Sequence, residues 1–459
     1  MASRHNIGHM ISQAIDKAHS NGDETGITAI SAMPRSTHQA HSLKPGDAVA
    51  YQQAEARQQS GPRRASPCFI ARLDLAHFRS YPHLSLRLPI HETAPAPVVL
   101  VGPNGAGKTN LLEALSCLSP GRGLRGAALH EITAMGSSAP WAVHARLHRP
   151  DDVFEIGTGL APGVYADSDG DDEGGGSRRV VRIDGETVSG SGHLARILSV
   201  LWLTPAMDRL FVEAGSGRRR FLDRIVLALH GDHSRQVNAY ERAMRERNRL
   251  LSERGPGFDH AWLSALETRM AEHGVAIAAA RLETLDDLGQ RLKAIPKGPF
   301  PLPLISLQGY IEDQLAISSA LEAEEAFKSH LAAMRRRDAA AGRTGDGPHR
   351  SDLIVVHQEK AMPAHLCSTG EQKGLLISII LAHADMTADQ TGHTPILLLD
   401  EVAAHLDEDR RAALFERLLA LGGQAFMTGT DAALFAALGG RADIFHIGDG
   451  QVRLGSGAP

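Results

Sequence analysis

Gly102-Pro103-Asn104-Gly105-Ala106-Gly107-Lys108-Thr109 matches the pattern G-x-x-x-x-G-K-[ST] at every fixed position. Its setting is what constrains the fold. Val98-Val99-Leu100-Val101 is a continuous apolar run that ends on the loop, and Leu111, Leu112, Leu115 and Leu118 follow at helical spacing. Buried strand, glycine loop and helix in that order predict an α/β architecture. The glycines let backbone N–H groups converge on phosphate oxygens without Cβ obstruction, and the positive end of the following helix favours the anion. In such a loop Lys108 reaches the β- and γ-phosphates and the Thr109 hydroxyl ligates Mg²⁺. A merely structural glycine-rich turn fits these flanks poorly. The eight residues from Gly102 to Thr109 are therefore expected to bind nucleotide, with Lys108 also serving catalysis.

A second apolar run, Ile396-Leu397-Leu398-Leu399, delivers Asp400 and Glu401 at its end. Neighbouring strand residues face opposite ways, yet at a terminus both can border a nucleotide. Asp400 is then expected to hold Mg²⁺ through water, and Glu401 to polarise the attacking water. The same pair also fits a strand that simply emerges into solvent. Just upstream, Ser368-Thr369-Gly370-Glu371-Gln372-Lys373 precedes Leu375, Leu376, Ile379 and Ile380. Ser368 with Glu371 has the S-x-x-E form of a capping box before an amphipathic helix. That alone describes a well-capped helix, but a start carrying Ser and Gly is also a second anion-directed terminus.

The chain's 459 residues, at roughly 150 per domain, suggest two or three units. Residues 1–66 are rich in Ser, His, Gln, Ala and Pro and read as a marginal helix at 7–18 followed by disorder. From about 67, Leu73 and Leu75, then Leu84, Leu86 and Leu88, alternate with polar residues on either side of Tyr81-Pro82, which predicts a strand pair. Further strands are expected at 143–147, 153–156 and 180–183, interrupted by an acidic solvated loop at 167–176. Residues 205–340 carry helical patterns with a proline-dense break at Pro296, Pro299, Pro301 and Pro303. Beyond about 345 strand and helix alternate again, ending in a hairpin at 444–452 that turns at Gly448-Asp449-Gly450.

Composition removes some functional classes. No stretch approaches the roughly 18 uninterrupted apolar residues of a membrane span. Lys plus Arg (48) against Asp plus Glu (53) leaves a formal charge of -5, so nucleic-acid binding would need a local patch. Cys68, Cys117 and Cys367 are far apart and suggest neither a disulfide framework nor a zinc site, which fits a reducing cytoplasm. The 24 histidines are scattered without paired metal spacing, and the N-terminus lacks a secretory signal pattern.

The phosphate loop, the helix start at 368–372, the acidic strand at 397–401 and the following His405-Leu406-Asp407, in that order, look like the ABC-type ATPase heads. Within that superfamily the chain resembles the RecF family of bacterial recombination and replication-repair proteins. The resemblance lies in Leu75-Ala76-His77-Phe78-Arg79-Ser80-Tyr81, Lys108-Thr109-Asn110-Leu111-Leu112-Glu113-Ala114, Arg218-Arg219-Arg220-Phe221-Leu222-Asp223 and Arg247-Asn248-Arg249-Leu250-Leu251, continuing through Gly347-Pro348-His349-Arg350-Ser351-Asp352-Leu353 and Thr369-Gly370-Glu371-Gln372-Lys373. It spans about 67–459. It implies an α/β, ABC-type P-loop ATPase head split by an inserted, mainly helical second lobe. The head then occupies 67–204 and 341–459, the lobe 205–340, and an atypical extension 1–66. In such heads the signature serine and glycine of one protomer contact the γ-phosphate held by the other, which adds Ser368, Gly370 and Gln372 to the nucleotide-binding set. ATP and Mg²⁺ are the implied cofactors and an ATP-dependent homodimer the implied assembly. The implied partners are DNA at single-strand gaps or junctions and the mediator proteins RecR and RecO. The implied role is to help load recombinase in gap repair and replication and to support the SOS response.

The chain departs from the pattern in two places. No glutamine occurs between Lys108 and Arg235, so a Mg²⁺-linked sensor is not assigned. Where transport ATPases carry a switch histidine, this chain has Thr428-Gly429-Thr430-Asp431, which implies slow hydrolysis, and with the resemblance the expectation is a weak, DNA-stimulated ATPase. About 260 residues separate phosphate loop from signature, too many for a transporter head, and sustained heptads are absent. Between Arg209 and Arg254, eleven arginines outnumber six acidic residues, densest at Arg218-Arg219-Arg220. This reads as a basic surface suited to phosphate or as a solvated helix with internal pairs such as Glu241 with Arg245. DNA binding thus leans on the resemblance more than on charge. Two rival readings are the ATPase subunit of a membrane transporter and a non-hydrolysing ATP-binding scaffold.

Overall fold

The computed structural model describes residues 65–91, 94–161, 178–253, 260–448 and 450–455. The expected extension at 1–66, except its last two residues, lies outside them, as do the acidic loop at 167–176 and Asp449. The described chain falls in the unit 63–459.

Its first layer is an antiparallel sheet. Strands β1 (Phe69–Phe78), β2 (Tyr81–Arg87), β4 (Ala142–His148), β5 (Val153–Leu160), β6 (Arg179–Ile183) and β7 (Glu186–Val188) lie in the order β2-β1-β4-β5-β6-β7. The β1–β2 turn is Arg79-Ser80, with Phe78 opposite Tyr81, so Tyr81-Pro82 begins the second strand and does not separate the two. Pro82 is tolerated there because β2 is an edge strand whose outer N–H positions need no partner. Strand β5 runs four residues past its expected end. Gly157 and Gly159 hide its alternation, and Gly159 has a structural reason, since a Cβ there would lie 2.6 Å from the Trp141 carbonyl oxygen.

The second layer is the central sheet, β15-β14-β3-β13-β12-β8, where β3 is Val98–Val101, β8 Val200–Leu203, β12 Ile396–Leu399, β13 Ala425–Gly429, β14 Asp443–Gly448 and β15 Gln451–Leu454. All neighbours in it are parallel except the β14–β15 hairpin. Its strands are apolar without alternation because both faces are covered. Val98, Leu100, Val200, Trp202, Ile396, Leu398 and Phe426 join the core under the antiparallel sheet, which also takes Leu111, Leu112, Leu115 and Leu118. Val99, Val101, Leu201, Leu203, Leu397, Leu399 and Met427 join the opposite core. Strands β8 and β13 were not anticipated; each is a run of four or five residues too short to stand out between helical patterns.

Helix α1 (Lys108–Ser116) follows β3. The stretch 205–340 holds α2 (Gly215–Leu227), α3 (His233–Glu253), α4 (His260–Ala294), α5 (Tyr310–Leu315) and α6 (Ala320–Ala341). A third core of Tyr240, Leu250, Leu263, Met270, Phe327 and Leu331 joins α3, α4 and α6. The same stretch contributes β9 (Pro303–Gln308), which pairs with β10 (Asp352–His357); β10 pairs in turn with β11 (Met362–Pro363). Helix α7 (Thr369–Thr391) is buried along most of its length in the core opposite α1, and α8 (Glu408–Leu421) follows the acidic strand. The fold is that of an ABC-type ATPase head. Among the described residues, no helix is long and apolar enough to cross a membrane.

Candidate functional site

The parallel strands β3, β13 and β12 are adjacent, with Val101 opposite Gly429 and Met427 opposite Leu399. Their carboxyl ends therefore reach one edge of the sheet, where ligands of open α/β folds gather. The 102–109 loop leaves β3 there, Asp400 and Glu401 leave β12, and Thr428 stands near the end of β13 between them.

The loop's conformation demands its glycines. Gly105 and Gly107 have φ of 82° and 104°, in the left-handed region. A Cβ on Gly107 would lie 2.6 Å from the Tyr81 hydroxyl, and one on Gly102 would lie 2.2 Å from the Ile447 carbonyl oxygen. Gly105 faces open space. Lys108 is buried, and its Nζ donates to the carbonyl oxygens of Gly102 and Pro103 at 2.7 and 2.9 Å. Its ammonium thus sits inside the loop's arc. Pro103 and Ala106 shape the same arc, with Ala106 N donating to Pro103 O at 3.2 Å.

Thr109 Oγ1 lies 3.0 and 3.1 Å from the two carboxylate oxygens of Asp400. Thr428 Oγ1 donates to Asp400 Oδ1 at 2.7 Å and accepts from the Glu401 N–H at 2.8 Å. One threonine hydroxyl thus fixes both acidic residues. Glu401 holds φ of 51°, costly by about 1–3 kcal/mol for a residue with a Cβ. In that conformation it lines a pocket of about 210 Å³ together with Asn104, Gly105, Gly107, Lys108, Thr109, Asn110 and Arg125. Hydroxyl, buried carboxylate, loop N–H groups and ammonium form a donor set that fits a nucleotide triphosphate with a hydrated Mg²⁺.

Around the pocket runs a network the sequence did not disclose. The Glu113 carboxylate, fully buried, accepts from Arg79 Nε and Nη2 at 2.9 and 2.7 Å and from Arg125 Nη1 at 2.8 Å. Arg125 Nη1 also donates to Asn110 Oδ1 at 3.0 Å, and Asn110 Nδ2 to Ser80 Oγ at 2.8 Å. The Tyr81 hydroxyl beside Gly107 is buried without a hydrogen-bond partner among the described residues, and burial pushes its pKa up to about 12. Only the nearness of Arg79 and Tyr81 to the loop in sequence hinted at this.

The remaining expected site residues stand elsewhere. Ser368 N-caps α7: its Oγ accepts from Glu371 N at 3.4 Å and Glu371 Oε2 accepts from Ser368 N at 2.9 Å, the reciprocal capping box. The Lys360 ammonium and then the Ser368 donors hold the Glu371 carboxyl at a pKa of about 2. Gln372 Nε2 donates to Cys367 O at 2.8 Å, while its Oε1 is buried without a hydrogen-bond partner among the described residues. Ser368, Gly370 and Gln372 are not among the described residues lining the phosphate-loop pocket. Asp407 N-caps α8, accepting from Arg410 N at 2.8 Å.

The arginine-rich stretch is only partly a surface. Arg218 forms a two-pronged pair with Asp352, 2.7 Å at each nitrogen, and Arg219 donates to Ser351 O at 2.9 Å. Arg224 stacks over Trp202 at 4.4 Å. Arg247 is fully buried against Glu267 and Asp338 at 3.0 and 2.8 Å. The densest cluster, Arg218-Arg219-Arg220, thus leaves only Arg220 exposed, because two of its guanidiniums bind the chain's own oxygens.

A family model described as RecF/RecN/SMC N terminal domain matches residues 69–446. A protein of Mesorhizobium japonicum named DNA replication and repair protein RecF is 52% identical over 384 residues, covering 83% of this chain and 97% of that one. A protein of Brucella suis with the same name is 51% identical over 395 residues, covering 85% and 97%. Among solved structures, a recombination mediator protein described as RecF-ATPrS in the RecFOR pathway superposes with a TM-score of 0.71 at 22% identity, over 85% of this chain and all of that one. Another, described as RecF-ATP, gives 0.68 at 21% identity over 85% and 99%.

Proposed function

The chain belongs to the RecF family, and from that premise we propose that it is an ATP-dependent DNA-binding protein of recombinational repair and replication. ATP closes two copies into a symmetric dimer at single-strand gaps or junctions, and hydrolysis reopens it. The carrying observation is the meeting of Lys108, Thr109 and Glu401 at one pocket, with Asp400 hydrogen-bonded to Thr109 and Thr428 to both Asp400 and Glu401. The site has a cradle and an acidic pair, and the family resemblance supports a second helix start supplied by another copy.

In this reading the loop N–H groups and Lys108 bind the β- and γ-phosphates, Lys108 exchanging its carbonyl partners for phosphate oxygens. Mg²⁺, held by Thr109 and through water by Asp400, supplies charge neutralisation at the phosphates when bound. Glu401, pinned by Thr428, orients and polarises the attacking water. Ser368 and Gly370, both exposed, meet the γ-phosphate on the partner copy, whereas Gln372, expected among the nucleotide-binding residues, is buried with its amide on Cys367 O. The family's ties to DNA, to RecR and RecO, to recombinase loading and to the SOS response are carried over as part of the proposal.

Light scattering with and without ATP and Mg²⁺ tests it. A monomer without nucleotide and a dimer with it, persisting longest in Glu401→Gln, is expected. A monomer under every condition, Glu401→Gln included, would sink the dimer.

A further inference from the structure

We propose that the proline-rich segment 296–302 is a strap that positions the first turns of α7, and so sets where Ser368 and Gly370 are presented to a second copy. The inference deepens the dimer reading above and rests on it. Gly370, Gly374 and Ser378 recur every four residues and share one face of α7. Against Gly374 stands Pro301: a Cβ on that glycine would lie 2.6 Å from Pro301 Cδ and 3.0 Å from Cγ. One turn further along, Ser378 Oγ donates to Pro301 O at 2.8 Å. Against Gly370 stands Arg410 of α8, its Nη1 3.6 Å from where a Cβ would be, while its Nε donates to Pro299 O at 3.1 Å. Beyond the prolines, Gln358 N donates to Leu302 O at 3.0 Å.

Glycine inside a helix is less favourable than alanine, so Gly374 calls for a reason, and the close approach of Pro301 supplies one. The prolines fix φ at their positions and leave the strap little freedom. A cavity of about 430 Å³ lies beside it, lined by Phe300, Pro301, His357, Lys360, Glu371 and Arg410. Phe300 packs against the core around α7, and the attachments at Pro299, Pro301 and Leu302 hold the rest of the strap. Because Arg410 belongs to the helix that follows the acidic pair, the strap joins the end of a chain's own nucleotide site to the helix start that chain offers its partner.

The test is a double-mutant cycle on the full chain, read by ATP-dependent dimerisation in light scattering and by fluorescent-ATP binding. Overfilling the contact in Gly374→Ala is expected to weaken dimerisation about tenfold or more, with nucleotide affinity of the monomer within about twofold of the parent. Pro301→Ala removes both clashing atoms and, added to Gly374→Ala, is expected to restore dimerisation. Ser378→Ala, which loosens the strap without overfilling the helix, should weaken dimerisation several-fold and keeps the test open should Gly374→Ala not fold. Parent-like dimerisation of both Gly374→Ala and Ser378→Ala would overturn the strap, as would a double variant as defective as Gly374→Ala. A parent chain that never dimerises overturns the underlying reading instead.

Discussion

The Thr428 hydroxyl, near the end of β13, both donates to Asp400 and accepts from the Glu401 N–H. Thr428→Val keeps the shape and removes both bonds. Expected is a fall in ATP turnover of about tenfold or more at little changed ATP affinity, because positioning of the water-orienting group is lost while the phosphate cradle remains. Equal turnover in the variant would refute the role. Lys108→Ala, by contrast, should abolish nucleotide binding, as read by fluorescent-ATP titration. Two histidines, His349 half-buried and His383 buried, give a pH signature. Burial lowers the pKa of His349 to about 4 and, with Arg224 nearby, that of His383 to about 3, against an ordinary 6.5. Their neutral forms are favoured only in the folded state, so the stabilisation is complete above pH 6.5 and is lost as pH falls towards 4 and 3. Each contributes a slope of at most about 1.4 kcal/mol per pH unit in that window. The thermal midpoint should drop between pH 6.5 and 4.5, less steeply in His383→Leu, and an identical slope in the variant would contradict the assignment.

At the scale of elements, Arg247 shows how a sequence signal can mislead. In the chain it reads as one of many basic residues suited to phosphate; in the fold it links α3 to Glu267 of α4 and Asp338 of α6 and has no exposed surface. Arg247→Ala would take the guanidinium from the buried Asp338 carboxylate while Glu267 keeps that of Arg335, costing about 3–5 kcal/mol, which a urea melt would read as a lowered midpoint. An unchanged midpoint would mean the network is not structural. Elements whose structure is local were legible: the strand, loop and helix around 98–116, the strand ending just before Asp400 and the Ser368–Glu371 capping box each depend on residues a few positions apart. Those that depend on distant partners were not. Strand β8 is four apolar residues whose meaning comes from pairing with β12, nearly two hundred positions on. Glu113 stands in the sequence only as part of the Lys108–Ala114 run that carries the family resemblance, and its role emerges when Arg79 and Arg125 are brought onto it. Gly374 reads as an ordinary helix blemish until Pro301 arrives.

For the whole molecule, the charge of -5 and the internal use of Arg218, Arg219, Arg224 and Arg247 narrow what can meet DNA. Arg242, Arg245 and Arg249 are exposed on α3, spaced by three and four so that they share a face, each with an interaction of its own, as in Arg249 with Glu246 at 3.8 Å. Phosphate contacts carry no base preference, and each one made releases counterions, so the number of contacts is readable from salt dependence. On the proposed function, gel shifts on gapped, single-stranded and duplex DNA should show ATP-dependent retention that weakens as salt rises. Arg245→Ala should reduce retention on all three substrates by a similar factor and lower the salt slope by about 1. Arg220→Ala, from the cluster that looked densest in sequence, tests the other surface in the same way. A full salt slope in Arg245→Ala beside a reduced one in Arg220→Ala would move the interface from α3 to α2. Retention indifferent to ATP in the parent chain would separate DNA binding from dimer closure altogether, because a clamp that closes on nucleotide must hold its DNA better closed than open.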